Sequence, residues 1–344
     1  MNGDRILVFG GYGAVGRVTA TALARWFPGR VVAAGRDPDR ARAFAEETAG
    51  AVRPLAVDVT DRAAVERAVA DAGVVVCCVE RANEVLARIC LERGVHYVDV
   101  SATRSVLESL EGLDELAATT GAVAALSVGV APGLTNLLAR RCVAELGSAT
   151  GVDVTILLGL GEHHGQDAVR WTVDSLAQPA ARGLARKRVH LPGAGRRTAF
   201  PFPFSDQHTL SRTLGAPVTT RLCFDSAPAT WAMFGLRRIG FFAAAHRLRL
   251  DGLLTAALSS VHFGRVSFVV HAAAVDERGR RAAFAASGSR ESEATGIVTA
   301  HVARLLHAGG LAPGVHHLEQ LVEPAALFRD LEPDGIRFHT ADPR

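Results

Sequence analysis

Lysine is nearly absent from this chain: Lys187 is the only one among 38 Lys+Arg residues, so Schiff-base chemistry has a single candidate amine. Only two tyrosines occur, Tyr12 and Tyr97, and neither has a lysine four residues on. That excludes the Tyr-x-x-x-Lys pair of short-chain dehydrogenases. The cysteines are Cys77, Cys78, Cys90, Cys142 and Cys223, odd in number and without Cys-x-x-Cys spacing. They read as reduced, buried thiols of a cytoplasmic protein. No His-x-x-Glu-His run or cysteine cluster offers a metal site, and no Gly-x-Ser-x-Gly follows a strand, which removes the common hydrolase arrangement. No long apolar run is uninterrupted. The nearest, "IGFFAAAHRLRLDGLLTAALSSVHFG", is broken by His246, Arg247, Arg249 and Asp251. A spanning helix needs roughly 20 apolar residues, so no transmembrane segment is expected, and peripheral membrane contact stays open. The chain opens straight into a strand with no signal peptide, again a cytoplasmic reading. A net charge of +3 makes no case for a nucleic-acid partner.

What is present is a chain of 344 residues with 49% hydrophobic content, enough for two domains. Over the first 130 or so residues, short apolar runs alternate with amphipathic ones. "RILVF", "RVVAAG", "VRPLAVDV", "VVVCCV", "HYVDVS" and "AVAALSVG" read as six strands. The segments between them carry helical spacing, one beginning beside Asp61 as N-cap. Continuous apolar strands covered by helices predict a parallel sheet. Beyond residue 133 the texture changes. "GVDVTILLGL", "VTTRLCFDS" and "RVSFVVHAAAVDERGRRAAFAASG" read as longer strands, the last with a hairpin turn at Asp276 to Gly279. Residues 182–206, rich in Arg, Pro and Gly, read as an exposed excursion. The predicted fold is α/β: an N-terminal Rossmann-type doubly wound parallel sheet (1–133) and an α+β substrate domain on a mostly antiparallel sheet (134–290). A C-terminal helix and tail follow (291–344). Pairing of identical sheet edges would give a homodimer.

Glycine is concentrated where the first strand ends. In "GGYGAVGR", Gly11-x-Gly13-x-x-Gly16 stands after a strand and before a helix, the context of a dinucleotide fingerprint. Bare backbone there lets a pyrophosphate approach the free amides of a helix N-terminus. Gly10, Gly11, Tyr12, Gly13, Ala14, Val15 and Gly16 are the phosphate-side candidates. An acid is expected about twenty residues on to hold the ribose. Arg36 stands there instead, followed by Asp37, which could serve NAD if it turns inward. A guanidinium can pair with a 2′-phosphate, so NADP(H) is favoured over NAD(H). Asp58 and Val59 end the third strand, where a carboxylate can accept from the adenine amine or cap the strand end. Ligands of such sheets bind outside the carboxyl ends of the strands. This brings in Cys78, Val79, Ser101, Pro132, Gly133 and Asn136, with Cys78 as a small apolar wall.

A nicotinamide cofactor brings hydride transfer, and a proton must move with it. His164, Asp99 and Asp174 are the candidates for that role. Glu162, His163 and Trp171, in "GEHHGQDAVRWTVDS", and Asp206, Gln207 and Arg212, in "SDQHTLSR", suggest a pocket for a small polar or zwitterionic molecule.

Taken together, "GGYGAVGR", "VVAAGRD", "AVDVTD", "RGVHYVDVSA", "VGVAPGLTNLLAR" and "GEHHGQDAVRWTVDSL" resemble the saccharopine dehydrogenase-like oxidoreductases. The resemblance covers nearly the whole chain. It implies a dinucleotide-binding domain, a substrate domain with a twisted sheet, a last segment (291–344) packed back toward the first domain, and NAD(P)-linked chemistry on an imine formed from an amino acid. It matches Gly11, Gly13 and Gly16 to the phosphate loop and Arg36 to the NADP side. Asp99 and Ser101 match the Tyr-x-Asp-x-Ser segment near the nicotinamide. The fourth strand ends "CCVERAN", without the Gly-Pro turn often seen in the family. Three readings follow: reduction or oxidation of a C=N/C–N bond of a small amine or amino-acid-derived substrate; reduction of a C=C or C=O bond in a lipid or polyketide-like intermediate; and a non-catalytic NADP(H)-sensing module.

Overall fold

The computed structural model describes residues 3–162, 166–178, 185–260 and 264–341. In chain order the strands are β1 (Arg5–Phe9), β2 (Val31–Gly35), β3 (Val52–Ala56), β4 (Ala72–Cys77), β5 (His96–Asp99), β6 (Val123–Leu126), β7 (Gly151–Leu158), β8 (Lys187–Leu191), β9 (Gly195–Pro201), β10 (Val218–Phe224), β11 (Ser267–Val275), β12 (Arg281–Ser289), β13 (Gly314–His317) and β14 (Arg337–Thr340). Two compact units result. One comprises Met1–Gly133 and Ser292–Asp334, the other Leu134–Glu291 and Gly335–Arg344.

The first unit is built on a sheet ordered β13-β6-β5-β4-β1-β2-β3, parallel throughout. Its central strands are apolar along their whole length because helices cover both faces: Ile6–Phe9 and Val74–Cys77 are entirely buried. Asp61 caps the helix Arg62–Ala68 as expected, accepting from the Ala64 amide at 3.0 Å. That helix is shorter than the sequence suggested, because Ala72 and Gly73 already belong to β4. The single helix expected over 106–121 is two, Arg104–Glu111 and Asp114–Thr120.

Strand β13 was not foreseen. It is only four residues long and carries two histidines. Its place is fixed by side chains: His317 Nδ1 lies 2.8 Å from Ser127 Oγ, just past β6, and its Nε2 lies 2.9 Å from Glu111 Oε1. Ser127 is fully buried, so this Ser–His–Glu chain anchors an edge strand and exposes no nucleophile. The helix Glu291–Ala308 leads to β13 and lies on the helix Ala14–Trp26. Thr19 Oγ1 donates to Gly296 O at 3.1 Å, and a Cβ on Gly296 would come within 2.7 Å of Val18 Cβ. Trp26 packs edge-on against His301, and Arg304 stacks over its ring.

The second unit holds a sheet ordered β14-β12-β11-β7-β10-β9-β8. Only β7 and β10 run parallel; the other pairs are antiparallel. The β11–β12 hairpin turns at the expected place, where Asp276 Oδ1 accepts from the Arg278 and Arg280 amides. The helix Thr135–Leu146 covers one face, with Cys142 Sγ donating to Ala272 O and Arg141 over the Phe284 ring. On the other face Leu157, Val189, Leu191, Ala199, Cys223 and Val269 form a small apolar cluster. Two expectations are corrected here. Much of the Arg-rich excursion at 182–206 is β-structure, because Val189 and Leu191 alternate inward beneath their charged neighbours. Strand β14 belongs to this second sheet, although the whole of 291–344 was expected against the first domain. Among the described residues no helix is long and apolar enough to cross a membrane.

Candidate functional site

The carboxyl ends of β1, β2, β4 and β5 form one edge of the first unit, and the glycine loop sits on it. Gly10 N donates to Ala34 O at 2.8 Å, which holds the loop on β2. Gly10 has φ +74°, a left-handed conformation suited to glycine. A Cβ on Gly11 would come within 2.7 Å of Ala33 and Val8, and one on Gly16 would collide with the Gly10 carbonyl. Gly13 is the N-cap of the helix Ala14–Trp26, and no side chain caps its amides. Ala14 and Val15 open that helix. The free N–H groups and the positive dipole end thus face outward above bare backbone, a cradle that fits a pyrophosphate.

At the end of β2 the structure separates the two adenosine-side candidates. Asp37 is the N-cap of the helix Pro38–Glu47: its Oδ1 accepts from the Asp39 and Arg40 amides at 3.0 and 3.1 Å. Its own amide donates to Tyr12 Oη at 2.8 Å. Arg36 precedes it and is exposed. Arg40 lies over the Tyr12 ring, 5.1 Å from its centroid. Asp58 Oδ1 accepts from the Thr60 amide and hydroxyl. Those bonds hold its carboxyl below the usual range, with smaller help from Arg36 and Arg81. Asp58 thus makes the strand-end cap with Thr60, and Val59 beside it is buried. Two guanidinium groups, Arg36 and Arg81, stand in its surroundings.

The tips of β4 and β5 are tied by a buried network. Asp99 Oδ2 accepts from Tyr97 Oη at 2.6 Å and from Asn83 Nδ2 at 2.9 Å, while Oδ1 accepts from the Ser101 amide at 2.8 Å. Asn83 also donates to Ser101 Oγ and to Val79 O. Asp99 is fully buried. Both oxygens of this candidate for proton transfer are engaged within the chain, and the bonds tie Ser101 to the β5 tip. Asn83 was missed by sequence reasoning, although a polar residue opening the helix after β4 was the available signal. Cys78 is raised to about 12 by burial and, next, by the Asp99 charge, so it is a neutral wall. Val79 lies against Gly10. For Asp99→Asn we expect a loss of about 1–3 kcal/mol in urea unfolding, the cost of a buried donor left unmatched. A donor role would instead appear as lost turnover at unchanged stability.

The remaining candidates are divided. Pro132 and Gly133 close the first unit; the Ala131–Pro132 bond is cis and Gly133 has φ +137°. Asn136 is buried in the second unit, where its Oδ1 accepts from Thr135 Oγ1 at 3.2 Å. His163 and His164 lie outside the described residues. Glu162 Oε2 accepts from the Glu291 amide at 2.6 Å, a helix-start contact. Asp174 neighbours His246 and Asp251, which are 3.0 Å apart. Partial burial, and then the Asp251 charge, raise its carboxyl above the ordinary value. Trp171 joins Phe202 and Phe204 in an aromatic group, and Gln207 Oε1 accepts from Thr220 nearby. Asp206 is buried and Arg212 exposed, on the same short helix. These three aromatic rings pack on one another in the second unit, with Phe202 and Phe204 buried and Trp171 half-buried.

Sequence and fold comparisons agree with this geometry. Residues 6–125 match the family model "Saccharopine dehydrogenase NADP binding domain". A comparison with curated proteins finds no match. Among solved structures, apo histidine-tagged saccharopine dehydrogenase (L-Glu forming) from Saccharomyces cerevisiae is similar over 99% of this chain and 100% of that one, at 13% identity and a TM-score of 0.65. Dihydrodipicolinate reductase from Paenisporosarcina sp. TG-14, bound to dipicolinate, is 10% identical over 94% of this chain and 100% of that one, with a TM-score of 0.47. Of the two, only the yeast structure is similar enough to support the fold. The loop, sheet order and family match converge: residues 6–125 are a saccharopine dehydrogenase-type NADP-binding domain, and the chain as a whole has a saccharopine dehydrogenase-like fold.

Proposed function

We propose that this protein is an NADP(H)-dependent oxidoreductase acting on the C=N or C–N bond of a small amine or amino-acid-derived substrate. The observation that carries the cofactor half is the division of labour at the end of β2. Asp37 is turned into a helix cap, and Arg36 is left exposed at the position where the fingerprint places its ribose-binding group. When bound, the cofactor supplies a hydride at C4 of its nicotinamide. The chain's own groups do the rest. The first-turn amides of the helix Ala14–Trp26 hold the pyrophosphate, Arg36 pairs with the 2′-phosphate, and the Asn83–Asp99–Ser101 network keeps the β4 and β5 tips in place. The C–N half of the reading draws on the resemblance to saccharopine dehydrogenase.

For Arg36→Ala we expect the Michaelis constant, or the dissociation constant, for NADPH to rise tenfold or more, roughly 1.5 kcal/mol for a lost charge-assisted bond. The constant for NADH should change little. Equal changes would remove the NADP assignment. Turnover on a panel of imines, ketones and enoyl compounds then tests the bond type. A second reading, a lipid-like C=C or C=O substrate, draws on the exposed apolar residues between Trp231 and Leu253. Activity confined to enoyl or keto members of the panel would favour it. NADPH binding without consumption of any member would favour a sensing module.

A further inference from the structure

Most globular domains turn the apolar stripe of a helix inward. The helix Ala227–Arg238 does so only in part, burying Thr230 and Phe234. A second apolar stripe points to solvent. Pro228, Trp231, Ala232, Gly235, Leu236 and Ile239 recur at three- and four-residue spacing, and all are exposed. Ile239 is 78% exposed. The helix Phe241–Arg247 packs against this one and continues the surface with Phe241, 42% exposed, and Leu248, 70% exposed. Leu253, in the next helix, is 68% exposed. Among the described residues, seven of the nine exposed large hydrophobics lie between 231 and 253. Scattered surface leucines are ordinary; a concentration of this kind marks an interaction surface.

Charge identifies the occupant. Residues 228–253 contain four arginines and one acid, Asp251, whose Oδ1 lies 3.0 Å from His246 Nδ1. Arg237 is turned inward to Pro201 O, Ser175 O and Gln178 O, which fixes the helix. Arg238, Arg247 and Arg249 are exposed. Arg186 sits over the Trp231 ring at 5.2 Å, and Arg196 and Arg197 line a small depression beside it. Apolar and aromatic side chains fringed by arginine suit an interface with anionic lipid, where the rings and leucines enter the headgroup boundary and the guanidinium groups meet phosphates. A two-fold pairing of the same surface would instead place these arginines against their own copies.

We infer that the surface formed by residues 228–253 docks this protein peripherally on an anionic membrane. The test is co-sedimentation of the full chain with vesicles, either pure phosphatidylcholine or an equal mixture with phosphatidylglycerol. Alongside run a Leu236→Ser/Ile239→Ser variant and an Arg238→Glu/Arg249→Glu variant, with oligomeric state followed by light scattering. Binding should be confined to the anionic vesicles and weaken with salt. Each arginine removed should cost about fivefold in affinity, and the serine variant should lose binding. Unchanged NADPH binding and melting temperature would show the variants folded; if the serine variant fails that check, the arginine variant still decides. No binding to anionic vesicles, binding equal on neutral ones, or a dimer that the same substitutions dissociate would each overturn the inference.

Discussion

A valine at position 16 is expected to weaken NADPH binding by about a hundredfold or more. The added Cβ collides with the carbonyl oxygen of Gly10, and the contact is backbone, which cannot swing aside as a flexible side chain could. Relief requires the loop and the helix Ala14–Trp26 to separate. Helix and strand then no longer share the geometry that aims the first-turn amides of that helix outward. Overpacking of this kind costs about 1–3 kcal/mol, and a loss near 3 kcal/mol taken from binding is roughly a hundredfold. Titration by nucleotide fluorescence measures it, with circular dichroism confirming that the sheet persists. Wild-type affinity in a folded Gly16→Val protein would mean that the pyrophosphate does not sit on this loop.

The second large effect is acid sensitivity from His271. This residue lies in β11, 4% exposed, opposite Thr155 of β7 and Ala285 of β12. Among the described residues neither ring nitrogen has a hydrogen-bond partner. Burial, and next the positive charge of Lys187, lower its pKa to about 4; Asp153 opposes them, though it is already paired with Lys187 and Arg221. An unfolded histidine titrates near 6.5. Between pH 6.5 and about 4 the unfolded chain therefore binds a proton that the folded chain refuses, and stability falls as pH falls. The loss attributable to this residue is about 2 kcal/mol at pH 5 and about 3 kcal/mol near pH 4. His96 and His307, both lowered chiefly by burial, act in the same direction. Urea unfolding of wild type and His271→Val from pH 7 to 4.5 isolates the term: the variant's curve should be flatter across that window. Parallel curves would show that His271 is solvated or paired.

Much of the first unit was legible because its signals are local. Alternating apolar runs, a glycine loop between strand and helix, and Asp61 at a helix start each depend on neighbours in sequence. Strand β13 was not legible. Its four residues satisfy no periodicity, and its position rests on Ser127 and Glu111, far away in the chain. The edge strand β8 and its neighbour β9 were hidden by their arginines, since charge on the outer face masks a two-residue alternation too short to stand out. Asp99 was noticed for a chemical reason and proved to have a structural one: a carboxylate at a strand tip looks reactive until Tyr97, Asn83 and the Ser101 amide are seen to claim it.

The sequence alone determined that a bare-backbone turn meets a helix N-terminus at Gly11–Gly16, because steric freedom and unpaired amides are properties of residue type and order. It also set the parallel character of the first sheet through strands apolar on both faces. Only the tertiary structure decided which buried carboxylate is spent on hydrogen bonds and which apolar helix face is left in solvent. Those outcomes depend on partners brought from elsewhere in the chain, and side-chain identity does not encode who the partner is.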